Sequence, residues 1–239
     1  MFSLDPLTRH VRLNPRDPAF YQNPYPVYAA LREQAPIFYW EDFNLWCFTR
    51  HEDVNAILRD RRFGRQILHV ATREELGWPP LRDDLQPFYD VDTLTLLALE
   101  PPDHTRLRGL VHKAFTNRQI ERLRSRITAL SHALVDAIAP RGQADLLAAF
   151  AVPIPVTVIA ELLGVPTAMN DQLLAWSHAM VAMYELGRTP AQEQAAVQAT
   201  QEFVAYLRDY VKLRRAAPQD DLISVLIAVE EQGERLSED

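Results

Sequence analysis

The sequence predicts a mainly helical fold with one small β hairpin. Only 7 of its 239 residues are glycine, while Ala and Leu are frequent, which favours helices over turn-rich β structure. Helix start and stop signals recur along most of the chain. One stretch, residues 37–48, is instead rich in aromatic residues and has a polar centre, as expected for two short paired strands.

The predicted elements follow in chain order. A helix begins at Asn23-Pro24 and ends before Pro36, and the hairpin then turns near residues 41–44. Thr49-Arg-His-Glu52 has the pattern of a capping box for the next helix. Residues 64–98 lack sustained periodicity and predict a long loop. Further helices are predicted at 99–115, from the capping box Thr116-Asn-Arg-Gln119 to Ile138, from Pro155 to Gly164, at 168–186, from the capping box Thr189-Pro-Ala-Gln192 to Pro218, and at 222–231.

Composition excludes several functional classes. A net charge of −7 argues against nucleic acid as a partner. The one cysteine, Cys47, excludes an intramolecular disulfide and suits a reducing, cytoplasmic location. The most apolar run, residues 146–160, is too short to span a membrane and contains two prolines, and the amino terminus does not look like an anchor. Zinc-ligand spacing, a nucleophile elbow, a phosphate loop and a dinucleotide fingerprint are also missing from the sequence.

The segment Leu99-Glu-Pro-Pro-Asp-His-Thr-Arg-Leu-Arg108 carries the most specific chemical signal. It places His104 and Arg108 one helical turn apart, on a face that continues through Leu107, Val111 and Phe115. Such a face suits a flat, mostly apolar ligand with anionic edge groups, and haem is one. On spacing alone, a solvated helix edge is the more common meaning of an i,i+4 His/Arg pair.

The whole string resembles the C-helix signature of bacterial cytochromes P450. Two further stretches agree in order and distance: Asn23-Pro-Tyr-Pro-Val-Tyr-Ala-Ala-Leu-Arg32 resembles the family's opening helix, and residues 144–166 resemble its strand-to-E-helix segment. The resemblance covers essentially the whole chain and points to the soluble, class I type. It implies one incomplete P450 domain over 1–239, made of helices A to H with a small β hairpin. Its parts would be the A helix, hairpin and B helix (21–63), the B–C loop (64–98), the haem-facing C helix (99–115) and the D to H helices (116–239).

The family's C-terminal motifs do not occur in the sequence. It has no acid–alcohol pair on a long central helix, no Glu-x-x-Arg and no Phe-x-x-Gly-x-x-x-Cys-x-Gly loop. A haem-thiolate enzyme needs a cysteine as axial ligand. Cys47 lies among aromatic residues and reads as a buried small hydrophobe, so no metal ligand is predicted in this chain.

The resemblance assigns roles to the remaining candidates. His104 and Arg108 would bind the propionates of haem b in the complete protein. The substrate pocket would include Leu94, Leu96, Leu97, Met180, Met183 and Tyr184, although such apolar stripes are more often core. The outer helix face, with Arg106, Lys113 and Arg118, would receive a ferredoxin-type electron donor, and an ordinary solvated face explains these cations equally well.

Two functions follow. The first is a P450 monooxygenase that inserts one oxygen atom from O₂ into an apolar small molecule, with this chain inactive alone and completed by a C-terminal half. The second is a non-catalytic P450-like helical module for binding or assembly, or the product of a decayed gene. The second is disfavoured because it would leave a large apolar surface uncovered.

Overall fold

The computed structural model describes residues 2–115, 117–228, 230–231 and 234–235. They group into two compact units, Met1–Gly64 and Arg65–Asp239. Each unit has its own buried apolar cluster.

The first unit combines a small sheet with three helices. Strand β2 pairs antiparallel with β1 and parallel with β3, and β3 pairs antiparallel with β4. Asn44 takes a left-handed backbone conformation (φ 54°), which closes the predicted turn between β3 and β4. The bounds are β1 Ser3–Leu4, β2 His10–Arg12, α1 Pro18–Gln22, α2 Tyr25–Gln34, β3 Ile37–Trp40, β4 Leu45–Phe48 and α3 His51–Arg59.

Sheet and helix bury a common core in this unit. Val11 and Phe38 from the strands pack with Leu31 and Ala35 from the end of α2. The indole N–H of Trp40 donates a hydrogen bond of 3.0 Å to the carbonyl of Leu13, which ties the strand edge to the preceding segment. The predicted hairpin is confirmed as part of a four-stranded sheet. The other two strands escaped prediction because two or three residues are too few to show alternation.

The second unit is almost entirely helical. A short antiparallel pair of strands lies near its end. The bounds are α4 Gln86–Asp92, α5 Asp103–Ala114, α6 Asn117–Ile138, α7 Pro153–Leu163, α8 Asn170–Val181, α9 Pro190–Ala216, α10 Leu222–Ala228, β5 Glu230–Glu231 and β6 Glu234–Arg235.

Helix α9 organises this unit, because α4, α8 and α10 all pack against it. Towards its start, Ala196 packs with Phe88 of α4 and with Met183. Further along, Tyr210 packs with Ala160 of α7 and Ile223 of α10. Among the helices within the described ranges, none is both long and apolar enough to cross a membrane.

Three local predictions differ from the structure. Residues 64–98 are not wholly irregular, because α4 and two 3₁₀ turns lie within them. The expected strand before α7 is instead a π-helical turn at Leu147–Ala151, which leads directly into Pro153 at the first position of α7. The last helix ends at Ala228 rather than at 231, since Glu231 pairs with Glu234 in a hairpin.

Candidate functional site

Helix α5 packs against this chain through a face other than the one that carries His104 and Arg108. Leu110 is fully buried and α5 packs against α10. At 100° per residue, Leu110 lies roughly 120° or more from the line through His104, Arg108 and Val111. The predicted stripe is therefore on a side of α5 other than the one through the fully buried Leu110.

The side chains on this stripe have the character expected of a ligand surface. His104 and Val111 are half-buried, Arg108 is exposed, and Phe115 at the end of α5 is 38% exposed. Within the described residues, no carboxylate or carbonyl pairs with the Arg108 guanidinium. A guanidinium without a partner beside apolar side chains is suited to bind an anionic group on a largely apolar ligand.

The segment before α5 is held in place by Glu100. Its carboxylate accepts hydrogen bonds from the backbone N–H groups of Arg65 and Gln66. These bonds, the one from Arg65 above all, hold the pKa of Glu100 below its usual range, and His69 and His104 add a favourable electrostatic contribution. The backbone N–H of His104 in turn bonds to the Glu100 carbonyl at 3.0 Å, so the start of α5 is fixed.

The predicted partner surface lies on another side of α5. Arg106 is exposed and its guanidinium lies 3.8 Å from the Asp103 carboxylate. Arg106 follows His104 by two residues, which corresponds to a rotation of about 200° around the helix axis. Arg106 therefore points away from the stripe. The side chains of Lys113 and Arg118 lie outside the described residues.

A mostly apolar cavity of about 380 Å³ lies between α4, α7, α8 and α9. This volume is within the range of small-molecule sites. Its walls come from helices far apart in sequence. They are formed by Phe88, Val91, Asp92, Thr95, Leu97, Ile159, Leu163, Leu173, Trp176, Ser177, Met180, Val181, Tyr184 and Phe203.

One polar pair is set into this apolar wall. The phenol of Tyr184 donates a hydrogen bond to Oδ1 of Asp92, across 92 residues of sequence. Burial, followed by this hydrogen bond, raises the pKa of Tyr184 to about 12. The phenol is therefore neutral at physiological pH and stays a donor to the carboxylate.

The predicted pocket residues divide into three groups. Leu97, Met180 and Tyr184 line the cavity. Leu94 lines a neighbouring groove of about 560 Å³ along α9. Met183 is 4% exposed and belongs to the buried cluster with Phe88, while the half-buried Leu96 is absent from the walls of both spaces.

Sequence reasoning missed most of the cavity wall. Ile159, Trp176 and Phe203 each looked like a core position of its own helix. Asp92 stood in a segment predicted as loop, with no signal that it meets Tyr184. Only packing between helices brings these side chains to one space.

Cys47 lies in the first unit and is not placed as a reactive thiolate. It stands opposite Phe38 in the sheet and packs against the core cluster of that unit. Burial raises the pKa of its thiol. This environment agrees with the interpretation of Cys47 as a small hydrophobe. In the portion of the chain that the structure describes, no three His, Cys, Asp or Glu side chains come together as a metal site.

Comparison with known sequences shows which proteins this chain is similar to. The chain is 37% identical over 231 residues to the polyketide biosynthesis cytochrome P450 PksS of Bacillus subtilis, covering 94% of this chain and 55% of that protein. It is 40% identical to the mycinamicin IV hydroxylase/epoxidase of Micromonospora griseorubida, covering 88% and 50% respectively. No protein-family model matches the chain.

Comparison with solved structures also finds cytochromes P450. Cytochrome P450BioI, crystallised in complex with an acyl carrier protein ligated to hexadec-9Z-enoic acid, matches with a TM-score of 0.81 at 28% identity, over 92% of this chain and 55% of that one. Epothilone D-bound P450epoK matches with a TM-score of 0.78 at 31% identity, over 94% and 56%. Nearly all of this chain is thus homologous to the N-terminal portion of bacterial cytochromes P450, and it has the fold of that portion. The chain spans about half the length of the curated relatives it matches.

Proposed function

We propose that this chain supplies the propionate-binding helix and part of the substrate pocket of a haem-dependent monooxygenase. Its P450 relatives include hydroxylases and epoxidases, and cytochromes P450 use haem as their cofactor. The reaction inserts one oxygen atom from O₂ into an apolar small molecule. The two compact units would belong to one incomplete P450 domain, completed by a C-terminal portion that carries the I helix and the cysteine loop.

The α5 stripe is the observation that carries this proposal. A half-buried imidazole and an exposed guanidinium without a partner among the described residues lie one turn apart, on a helix face other than the one through the buried Leu110. Both groups can donate hydrogen bonds to carboxylates, so the donor set fits haem propionates. Val111 and Phe115 continue the same face with apolar side chains suited to a porphyrin edge.

The donor set fits the edge of the cofactor but not its iron. When bound with a thiolate ligand, haem supplies the oxygen chemistry of this family. In this chain the only thiol is that of the half-buried Cys47. The role proposed for the chain is therefore to bind and orient: His104 and Arg108 fix the carboxylate edge, and the cavity walls exclude water from the substrate.

A haem titration of the 239-residue chain tests the propionate role. Arg108→Ala should weaken haem binding by about tenfold or more, because it removes a charge-assisted hydrogen bond. Haem dimethyl ester, whose carboxylates are blocked, should bind the parent chain as weakly as Arg108→Ala binds haem. Arg124→Ala, which removes an exposed arginine of α6 paired with Glu121, is the matched control and should change nothing. Equal affinity of the parent chain for haem and its ester would contradict the assignment.

A ferredoxin-type donor is proposed for the outer face of α5. Arg106 is exposed there and points away from the stripe. Affinity of the chain for an acidic [2Fe–2S] ferredoxin should fall as salt rises from 50 to 500 mM, since exposed charges are screened. Arg106→Glu should weaken the complex at low salt. An affinity that changes neither with salt nor in Arg106→Glu would show that this face is ordinary solvated surface.

The alternative function, a binding module without oxygen chemistry, is favoured by the thiol environment of Cys47 together with the preserved cavity. It predicts that the chain binds apolar ligands but does not distinguish haem from its ester. The same titration therefore separates the two functions.

A further inference from the structure

The cavity between α4, α7, α8 and α9 has one unusual feature, a carboxylate within an apolar wall. Asp92 closes the C-terminal end of α4 and faces this space together with Phe88 and Val91 of the same helix. Across from them stand Trp176, Met180 and Tyr184. Asp92 is half-buried and the Tyr184 side chain is 50% exposed, so this pair lies at the rim of the apolar wall, where a ligand can reach it.

The compensation of Asp92 within the chain is incomplete. Oδ1 accepts the hydrogen bond from the Tyr184 phenol. Oδ2 accepts no hydrogen bond from any residue that the structure describes, and no cation there forms an ion pair with Asp92. Arg65 is near enough to act electrostatically on the Tyr184 phenol but does not bridge to the carboxylate.

Resting on the proposed function, we infer that Asp92 selects the substrate: the cavity binds a compound with an apolar body and one hydrogen-bond donor, a hydroxyl or a protonated amine, that donates to Oδ2. An ionised carboxylate can only accept, which excludes acceptor-only groups and disfavours anions. Tyr184 has a positioning role. Its hydrogen bond to Oδ1 holds the carboxylate in one rotamer and leaves Oδ2 for the ligand.

The two donors are not equivalent at this site. A protonated amine would neutralise the charge of Asp92, whereas the proximity of Arg65 opposes a second cation. A hydroxyl avoids that repulsion. Both kinds of ligand must donate a hydrogen bond to Asp92, and matched ligands distinguish a hydroxyl from a protonated amine.

Calorimetric titration of the 239-residue chain, without haem, tests the inference. The probes share one rigid cage: 1-adamantanol, 1-adamantanamine, 1-chloroadamantane and 1-adamantanecarboxylate. We expect the alcohol or the amine to bind about tenfold or more tightly than the chloride, which cannot donate, and the carboxylate to bind weakest. A chloride that binds as well as both donors would overturn the inference.

Three variants test whether Asp92 causes the preference for ligands that donate a hydrogen bond. Asp92→Asn should weaken the preferred donor ligand about tenfold and leave the chloride unchanged, with the amine losing more than the alcohol. Asp90→Asn makes the same change on α4 outside the cavity wall and serves as the matched control. Tyr184→Phe should retain donor selectivity at reduced affinity, which keeps the test valid should circular dichroism show Asp92→Asn to be misfolded. Equal effects of the Asp90 and Asp92 changes would contradict the assignment.

The role of Asp92 in ligand selection and the role of α5 in haem binding are contradicted by different results. No binding of any cage compound would overturn the role of the cavity, while the haem titration would still decide the propionate role of α5. Conversely, donor-selective binding without haem discrimination would leave Asp92 as the recognition group of a binding module.

Discussion

At the scale of single residues, Gly164 occupies a tightly packed position with a left-handed backbone. It ends α7 in a left-handed conformation (φ 75°), and its carbonyl accepts hydrogen bonds from the Tyr210 phenol and from Arg214 at 2.9 Å. Arg214 also bonds to Asp221 at 2.5 Å, with the two side chains 14% and 4% exposed. One carbonyl thus joins the end of α7 to α9 and to the residue that caps α10.

Replacement of Gly164 should therefore be costly. In Gly164→Ala the new Cβ would overlap the Asp221 carboxylate and force it away from Arg214. We expect a loss of about 3 kcal/mol or more in the free energy of unfolding, as for a broken buried ion pair. Gly142→Ala is the control: it has a similar φ of 69° but no atom within 4 Å, so only the backbone cost of about 1 kcal/mol applies. Similar urea midpoints for the two variants would contradict this account.

Two capping boxes show what residue patterns can and cannot predict. Thr189-Pro-Ala-Gln192 forms both reciprocal hydrogen bonds at the start of α9, as predicted. Thr49-Arg-His-Glu52 does not, because the N-cap of α3 is Arg50 and Thr49 lies one residue before it; the Thr49 hydroxyl instead donates a hydrogen bond to the carbonyl of Pro36. Thr116 and the side chains of the next three residues lie outside the described residues, so the third pattern stays a prediction. A local pattern therefore forms a capping box only where the helix begins directly after its Thr.

At the scale of elements, α6 and α7 are joined by one bidentate ion pair. The guanidinium of Arg126 donates to both carboxylate oxygens of Glu161 at 2.6–3.1 Å. This hydrogen bonding lowers the pKa of Glu161, against a smaller effect of burial. Both side chains keep substantial exposure, so the pair is worth about 1 kcal/mol at most.

The pH dependence of this contact has a definite sign. Because the folded-state pKa of Glu161 lies below its unfolded value, the stabilisation is present above the unfolded pKa and is lost as the pH falls through the folded pKa. Urea unfolding of Glu161→Gln should show a loss of about 1 kcal/mol at pH 7 that disappears towards pH 3. Glu121→Gln, at the more exposed pair with Arg124, should show a smaller effect. A Glu161→Gln penalty that persists in acid would exclude the ion pair as its source.

At the scale of the whole molecule, the single cysteine and the candidate site residues belong to different compact units. Cys47 pairs opposite Phe38 in the sheet of the first unit, where burial raises its thiol pKa. His104, Arg108 and the cavity all belong to the second unit. We propose that Cys47 is not the iron ligand of the complete P450 domain.

This arrangement gives a spectroscopic prediction. Addition of reduced haem and CO to the 239-residue chain should give no Soret band of the thiolate type, because partial burial raises the pKa of the Cys47 thiol and disfavours the thiolate. Cys47→Ser should leave the spectrum unchanged. A thiolate-type band that disappears in Cys47→Ser would show that this cysteine reaches the iron and would refute the account of the first unit.

By itself, the sequence determined the helical class, the hairpin at 37–48, the boundaries of α9 and the His104–Arg108 register, because each rests on periodicity or on contacts within a few residues. The positions of β1 and β2, of α4 within the predicted loop and of Met183 in the core depended on packing between distant segments. So did the meeting of Asp92 with Tyr184, since two side chains 92 residues apart share no local pattern. Only the tertiary structure, which buries several helices against α9, decided which apolar residues became core and which became cavity wall.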